Sequence, residues 1–128
     1  DTSTGSALHS FSEVTDWQGN DFSPEFSQGM IGVSIDYFIE KFDPEFPTYI
    51  KIDVDGIENK IIEGGRNTLQ DPRLKSILVE LNDSQPEEVS SVISLIEQDG
   101  LKFAYKKHAP SCDSSVFSSV YNYFFFRS

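Results

Sequence analysis

Cysteine is nearly absent: 128 residues contain one, Cys112. A single thiol cannot close an internal disulfide, so packing must hold the fold, as suits a reducing, cytoplasmic setting. Histidine is nearly as scarce, with two. His9 and His108 lie far apart without partners at ligand spacing, which argues against a zinc site, and no metal centre is expected. Ser10 beside His9 makes no hydrolase signature, and no nucleophile-elbow pattern occurs. Long apolar runs are missing too. None approaches the ~20 residues of a membrane helix, and no signal peptide opens the chain, so no membrane role is expected. The chain opens on Asp1 and not Met, as an excised piece of a longer protein would.

Basic residues are outnumbered. Ten Lys and Arg stand against 21 Asp and Glu, a formal charge of −11. Such a surface repels phosphate backbones and anionic headgroups, which excludes nucleic-acid binding as a main role. The plain reading of the charge is solubility. What the chain does have is apolar and aromatic material, 38% and 13% of its residues, with eleven Phe. One domain of this length can bury roughly two-thirds of its unfolded surface, so a packed core is expected.

Residues 1–29 are rich in Ser, Thr, Asp and Gly and show no sustained period; they read as an irregular N-terminal segment. Trp17, Phe22 and Phe26 within it either line a pocket or pack. Residues 30–128 read as the structured part. Ser34 stands at an N-cap position before Ile35, Phe38, Ile39 and Phe42, which make one apolar helical face that Asp43-Pro44 ends. Tyr49 to Val54 is the clearest strand, with Ile50, Ile52 and Val54 on one face and Tyr49, Lys51 and Asp53 on the other. Gly56 ends it. Ile57 to Leu69 is helical in pattern, weakened or ended early by Gly64-Gly65.

Ser76 to Leu81 is a second strand, whose run Ile77-Leu78-Val79 suits a strand covered on both faces. Ser84-Gln85 caps a helix with Pro86, Glu87 and Glu88 in its first turn, and Gly100 stops it. Leu101 to Lys106 and Val120 to Phe126 are two more strands, joined without a helix and so expected to pair as an antiparallel hairpin. Tyr121 to Phe126 suits a central strand. The whole reads as an α/β fold: a parallel sheet with an antiparallel element at its end.

In such sheets ligands bind outside the carboxyl ends of the parallel strands. There the first strand delivers Asp53, Asp55 and Gly56, and the second Glu80, Asn82 and Asp83. Two apolar strands that turn acidic at the same end are the most informative pattern in the chain. Asp53 is favoured for a site role by its strand-end place. Lys51 and Glu80 either pair across the sheet as a structural ion pair or belong to the site. Asp55 and Glu58 either contact a ligand or complement a helix dipole. Cys112 reads as an inert surface thiol sooner than a reactive one.

Ile50-Lys51-Ile52-Asp53-Val54-Asp55-Gly56-Ile57-Glu58, then Ile61-Ile62-Glu63-Gly64-Gly65, then Ile77-Leu78-Val79-Glu80-Leu81, resembles the FkbM-type methyltransferases. Their signature is a KIDVEG-x-E strand end, a helix ending L-x-G and an LVE strand. Val33 to Phe38 resembles the family's TLD segment, and Asn122-Tyr123-Phe124-Phe125 its last strand, so the likeness covers about residues 30–126. It implies a Rossmann-like methyltransferase sheet, S-adenosyl-L-methionine as donor, and a hydroxyl acceptor on a sugar or small natural product. It implies that Asp53 is the catalytic or substrate-binding acid, with Glu80 on the adjacent strand end. Lys51, Asp55, Gly56, Glu58 and Asn82 would lie near substrate or cofactor. Asp55 stands where the family usually has Glu. No G-x-G-x-x-G or G-x-G pattern occurs, so the chain reads as the later half of the sheet, with its first strands and glycine-rich cofactor loop missing. A rival reading is a non-catalytic binding or oligomerisation module, a homodimer through an exposed sheet edge. A hydrolase using Asp53 and Glu80 as a carboxylate pair is a distant third.

Overall fold

The computed structural model describes residues 31–108 and 118–128. The chain divides after Gly32, and the fold below is that of Val33–Ser128. The expected irregular segment 1–29, with His9, Ser10, Trp17, Phe22 and Phe26, lies outside the described residues, as does Cys112.

The elements run α1 (Ile35–Phe42), β1 (Tyr49–Ile52), α2 (Glu58–Glu63), α3 (Arg66–Gln70), β2 (Ser76–Asn82), α4 (Pro86–Gln98), β3 (Leu101–His108) and β4 (Val120–Arg127). The four strands form one sheet in the order β1-β2-β4-β3. β1 and β2 are parallel, and β4 is antiparallel to both β2 and β3. The expected hairpin of the last two strands is therefore present and the last strand is central. The α4 crossover leaves a slot one strand wide between β2 and β3, and β4 fills it.

One face of the sheet is apolar and carries the helices. Ile52, Ile77, Val79, Leu81, Leu101, Tyr123 and Phe125 from the strands meet Ile62 of α2, Leu69 of α3, and Val89, Val92 and Ile96 of α4. Each such side chain contributes about 1.5–3 kcal/mol by leaving water. The opposite face carries Tyr49, Lys51, Leu78, Glu80, Tyr105, Phe124 and Phe126. Here, among the described residues, the expected double cover of β2 is not found. Its burial alternates, with Ile77, Val79 and Leu81 buried and Ser76, Leu78, Glu80 and Asn82 half-buried. α2, α3 and α4 all contribute to the same side.

α1 starts as expected: the Ser34 hydroxyl accepts the Tyr37 N–H at 3.1 Å, and the helix ends at Asp43, ahead of Pro44. Its apolar face is half used. Ile35 and Ile39 are partly buried, while Phe38 and Phe42 stay exposed with rings 5.1 Å apart. α1 leans on the α2–α3 junction instead of the sheet. A Cβ on Gly64 would lie 2.9 Å from Cβ of Ser34, so glycine is required by the close approach of the two segments. The expected long helix breaks there, between Glu63 and Arg66. Asp36 then caps α3: its carboxylate accepts the Asn67 and Thr68 N–H groups, each at 2.9 Å, and the Thr68 hydroxyl at 2.7 Å. Ser84 does not cap α4; Gln85 takes the N-cap place without a side-chain bond.

β3 carries a bulge. Phe103 pairs with Phe125 and Tyr105 with Phe124, so Ala104 has no partner in the ladder. The extra residue resets the alternation. Phe103 packs on Tyr123 and Phe125 on the helix-covered face, whereas Tyr105 stacks on Phe124 at 4.6 Å on the other. At the amino end of β2, Arg127 binds three backbone carbonyls, those of Leu74 (2.8 Å), Asp99 (3.3 Å) and Leu69.

Candidate functional site

The parallel pair β1–β2 ends at one edge, and the site residues gather there. β1 leads through Asp53 into a turn in which Gly56 takes a φ of +88°. Nothing lies within 4 Å of a Cβ placed on Gly56, so its left-handed backbone, and not crowding, calls for glycine.

Lys51 and Asp53 alternate onto the same face, and the Lys51 Nζ lies 2.7 Å from Asp53 Oδ2. Both side chains are about half exposed, 59% and 49%. Of the two readings left open for Lys51 and Glu80, the ion pair inside the fold is not the one formed, since Lys51 pairs with Asp53 and both side chains are half exposed. The register sets Lys51 beside Leu78 and Ile52 beside Val79, so the next step brings Glu80 level with Asp53. Lys51 is held above its ordinary value first by its hydrogen bond to Asp53 and then by that charge. Glu80, half-buried, is raised chiefly by burial, then by repulsion from Asp53, with Lys51 opposing and Asp55 adding to the rise.

Directly across from Glu80 on β4 stands Asn122, whose Oδ1 is buried and meets no donor among the described residues. Asn122 gave no sequence signal beyond its place in the last strand, because facing Glu80 depends on β4 entering the middle of the sheet. Asn82 closes β2 at this edge. Its Oδ1 accepts the Ser84 N–H at 3.0 Å and the Ser119 hydroxyl at 2.8 Å, which ties the β2 end to the start of β4.

Glu58 and Asp55 part company. Asp55 is exposed on the turn. Glu58 opens α2 but is 4% exposed, so it is no surface acid at a helix end. Its Oε1 accepts the Gly56 N–H at 3.3 Å. Burial pushes its carboxyl up to about 7, against the pull of the backbone N–H groups of Glu58 and Gly56, and Glu88 on α4 adds to the rise.

A second group at this edge was not foreseen. Lys106 Nζ donates to Asp83 Oδ2 at 2.5 Å, and the Tyr123 hydroxyl donates to Asp83 Oδ1. Lys106 also sits 4.6 Å from the centre of the Tyr121 ring, and His108 packs on the same ring at 4.1 Å. Asp83 was visible as part of the acidic edge. Its partners become visible once the bulge is known, because it sets Lys106 opposite Tyr123. No group of three or more His, Cys, Asp or Glu among the described residues is arranged to hold a metal ion, and none of the described helices is long and apolar enough to cross a membrane.

The edge thus offers a half-exposed carboxylate held by a lysine, a second carboxyl beside it, and an amide oxygen across from that. Such a set can accept a proton and face a cation. The family model described as Methyltransferase FkbM domain matches residues 5–106. The chain belongs to this family. The FkbM match spans α1, β1, α2, α3, β2, α4 and most of β3, and so includes Lys51, Asp53, Glu58 and Glu80. β4, with Asn122 and Tyr123, lies beyond it. No curated protein and no solved structure matches the chain. In this FkbM chain the TLD-like segment has a structural use, since Ser34 caps α1 and Asp36 caps α3.

Proposed function

We propose that this chain is part of an S-adenosyl-L-methionine-dependent methyltransferase that methylates a hydroxyl on a sugar or small natural product, with Asp53 as the proton acceptor. The observation that carries the reading is the Asp53 carboxylate at the end of β1, half exposed, bound to Lys51 at 2.7 Å and level with Glu80. Its support is membership of the FkbM family.

The described residues fit one end of the donor. Asp53, Asp55 and Glu80 form an anionic edge that would face its sulfonium, whereas the βα turn after β1 is no cradle, because Glu58 already takes the Gly56 N–H. The donor, when bound, supplies an electrophilic methyl group. Lys51 fixes the Asp53 carboxylate in place. Asp53 would take the proton of the acceptor hydroxyl as the oxygen–carbon bond forms and the donor's sulfur–methyl bond breaks to leave a neutral thioether, a general-base step. Glu80 adds negative charge beside it, and the edge orients the acceptor oxygen for an in-line approach. The remaining strands of a Rossmann-like sheet would add at the outer edge of β1, which among the described residues pairs on one side, with β2. The reading carries with it a small-molecule or carbohydrate acceptor and a cytoplasmic place of work.

The test is transfer of labelled methyl from S-adenosyl-L-methionine by the protein with all its cofactor-binding sequence, wild type against Asp53→Asn. A general base contributes about 10²–10⁴-fold, so turnover should fall by at least about 100-fold. Unchanged turnover removes Asp53 from the mechanism. A second reading rests on the outer edge of β1, which has no strand partner among the described residues and where Tyr49 is 72% exposed: a module that pairs with another chain, or with its own copy, by strand addition. That reading expects no methyl transfer from the wild type either.

A further inference from the structure

The sheet face away from the helices holds an open trough of about 420 Å³, whose lining includes Tyr49, Lys51, Leu78, Tyr105, Phe124 and Phe126. That volume falls within the range of small-molecule sites, about 300–1,000 Å³. Tyr49, Tyr105 and Phe126 are exposed, and Leu78 and Phe124 are half-buried. Three of the rings join into one patch: Tyr105 stacks on Phe124 at 4.6 Å and lies 6.3 Å from Phe126. Single exposed apolar side chains are ordinary, but a joined patch in a concave place marks a binding surface.

The trough runs into the candidate site. Lys51 lines it and also holds Asp53 at 2.7 Å. The register sets Lys51 beside Leu78, Leu78 beside Phe124 and Phe124 beside Tyr105, one row across all four strands. The level of Asp53 and Glu80 comes two residues further on, about 7 Å along the strands. A ring lying on Leu78 therefore needs the length of a second ring to bring a hydroxyl to Asp53. Charge selects further. Asp53 already neutralises Lys51, and together with Asp55 and Glu80 it repels an anion at this end. The other cation nearby, Lys107, lies over the Tyr105 ring at 5.4 Å, on the opposite edge strand. A hydroxyl can donate to a carboxylate and brings no charge.

We propose that this trough holds the body of the methyl acceptor, an uncharged compound of two aromatic rings whose hydroxyl reaches Asp53. The inference rests on the proposed function for what happens to that hydroxyl; binding in the trough does not depend on it. Leu78, Phe124, Tyr105 and Phe126 meet the rings, and the acidic level sets which end of the compound enters the site.

The experiment is an NMR titration with 2-naphthol of the full chain, labelled at Leu and Phe, and of the protein with all its cofactor-binding sequence. The expected result, in both, is saturable shifts at Leu78 and Phe124, with Phe38 and Phe42 of α1 unmoved. Tyr105→Ala and Phe126→Ala should each weaken binding about 3–10-fold, the worth of one aromatic contact, and Phe42→Ala should not. The analogue 2-naphthoate, with a carboxylate in place of the hydroxyl, should bind at least about tenfold more weakly, and Asp53→Asn should narrow that gap. Methyl glucoside, rich in hydroxyls but without an aromatic ring, should leave Leu78 unmoved. Shifts that do not saturate, or that centre on α1, overturn the trough, as does an affinity that both ring variants leave unchanged. If 2-naphthoate binds as tightly as 2-naphthol, or Asp53→Asn leaves the gap in place, the hydroxyl is not at Asp53. Methyl glucoside moving Leu78 as 2-naphthol does overturns the aromatic class. Binding that is lost once the cofactor-binding sequence is present shows that protein, and not an acceptor, covers the trough, and overturns the proposal as well. Should one ring variant not fold, the other and the wild-type shifts decide. None of these readouts needs turnover. Their failure leaves the Asp53 methyl-transfer test standing, and a wild type without methyl transfer leaves binding in the trough standing.

Discussion

Asp53 and Glu58 leave the same turn and meet different physics. Asp53 stays in water with a lysine beside it, and a surface ion pair of that kind is worth about 0–1 kcal/mol, so its value lies in orientation and not in stability. Glu58 is taken out of water and becomes an acid that can hold a proton near neutrality. The sequence shows the first fate, because a strand that turns acidic at its carboxyl end points to that edge. It hides the second, because burial of Glu58 depends on α4 closing over it. The Asp83 group makes a further residue-scale prediction. The Tyr123 hydroxyl is held protonated above its ordinary value chiefly by burial, and it donates to Asp83 beside Lys106. Tyr123→Phe removes that donor, keeps the ring packed against Phe103, and should lower stability by about 1–2 kcal/mol. Urea unfolding at neutral pH measures it, with an unchanged slope expected, since little surface is altered.

At the scale of elements, the short pieces α2 and α3 are set by their neighbours. Neither is long enough to stand alone in water. α3 depends on Asp36, which reaches over from α1 to bind the N–H groups of Asn67 and Thr68. Asp36→Ala should cost about 1–2 kcal/mol, and Asp36→Asn, which keeps an acceptor, clearly less. Chemical denaturation of the two variants side by side checks this. A loss of the same size in both would show that charge, and not the cap, is what matters. The strands and the Gly64-Gly65 break were legible because period and glycine act locally. The one-sided cover of β2 was not. A run such as Ile77-Leu78-Val79 reports apolar character and is silent about which side the helices take. Phe38 and Phe42 show the same limit, since their spacing makes a face without providing something to cover it.

For the whole molecule, the order of strands matters more than their number. Placing β4 between β2 and β3 builds the site edge from distant parts of the chain. It brings Asn122 opposite Glu80, Ser119 onto Asn82, and Tyr123 onto Asp83. None of these meetings follows from local pattern, which is why the sequence shows the acids and misses their partners. The same order leaves β1 at a rim of the sheet among the described residues. The bulge in β3 has one more consequence, concerning length. Strands seldom tolerate the loss of a residue, because every side chain beyond the gap swaps sides. Ala104 is the exception: the pairs on either side of it, Phe103 with Phe125 and Tyr105 with Phe124, already form a continuous count without it. A chain lacking Ala104 should fold, with a straighter β3 and Lys106 still reaching Asp83, whereas one lacking Lys102 would move Phe103 to the other face, put Ala104 opposite Phe125 and melt at a clearly lower temperature; circular dichroism and thermal melting of the two deletions compare them. Length change can enter this strand at the bulge, so that gene variants shorter by one codon at Ala104 remain viable starting points for the site beside it.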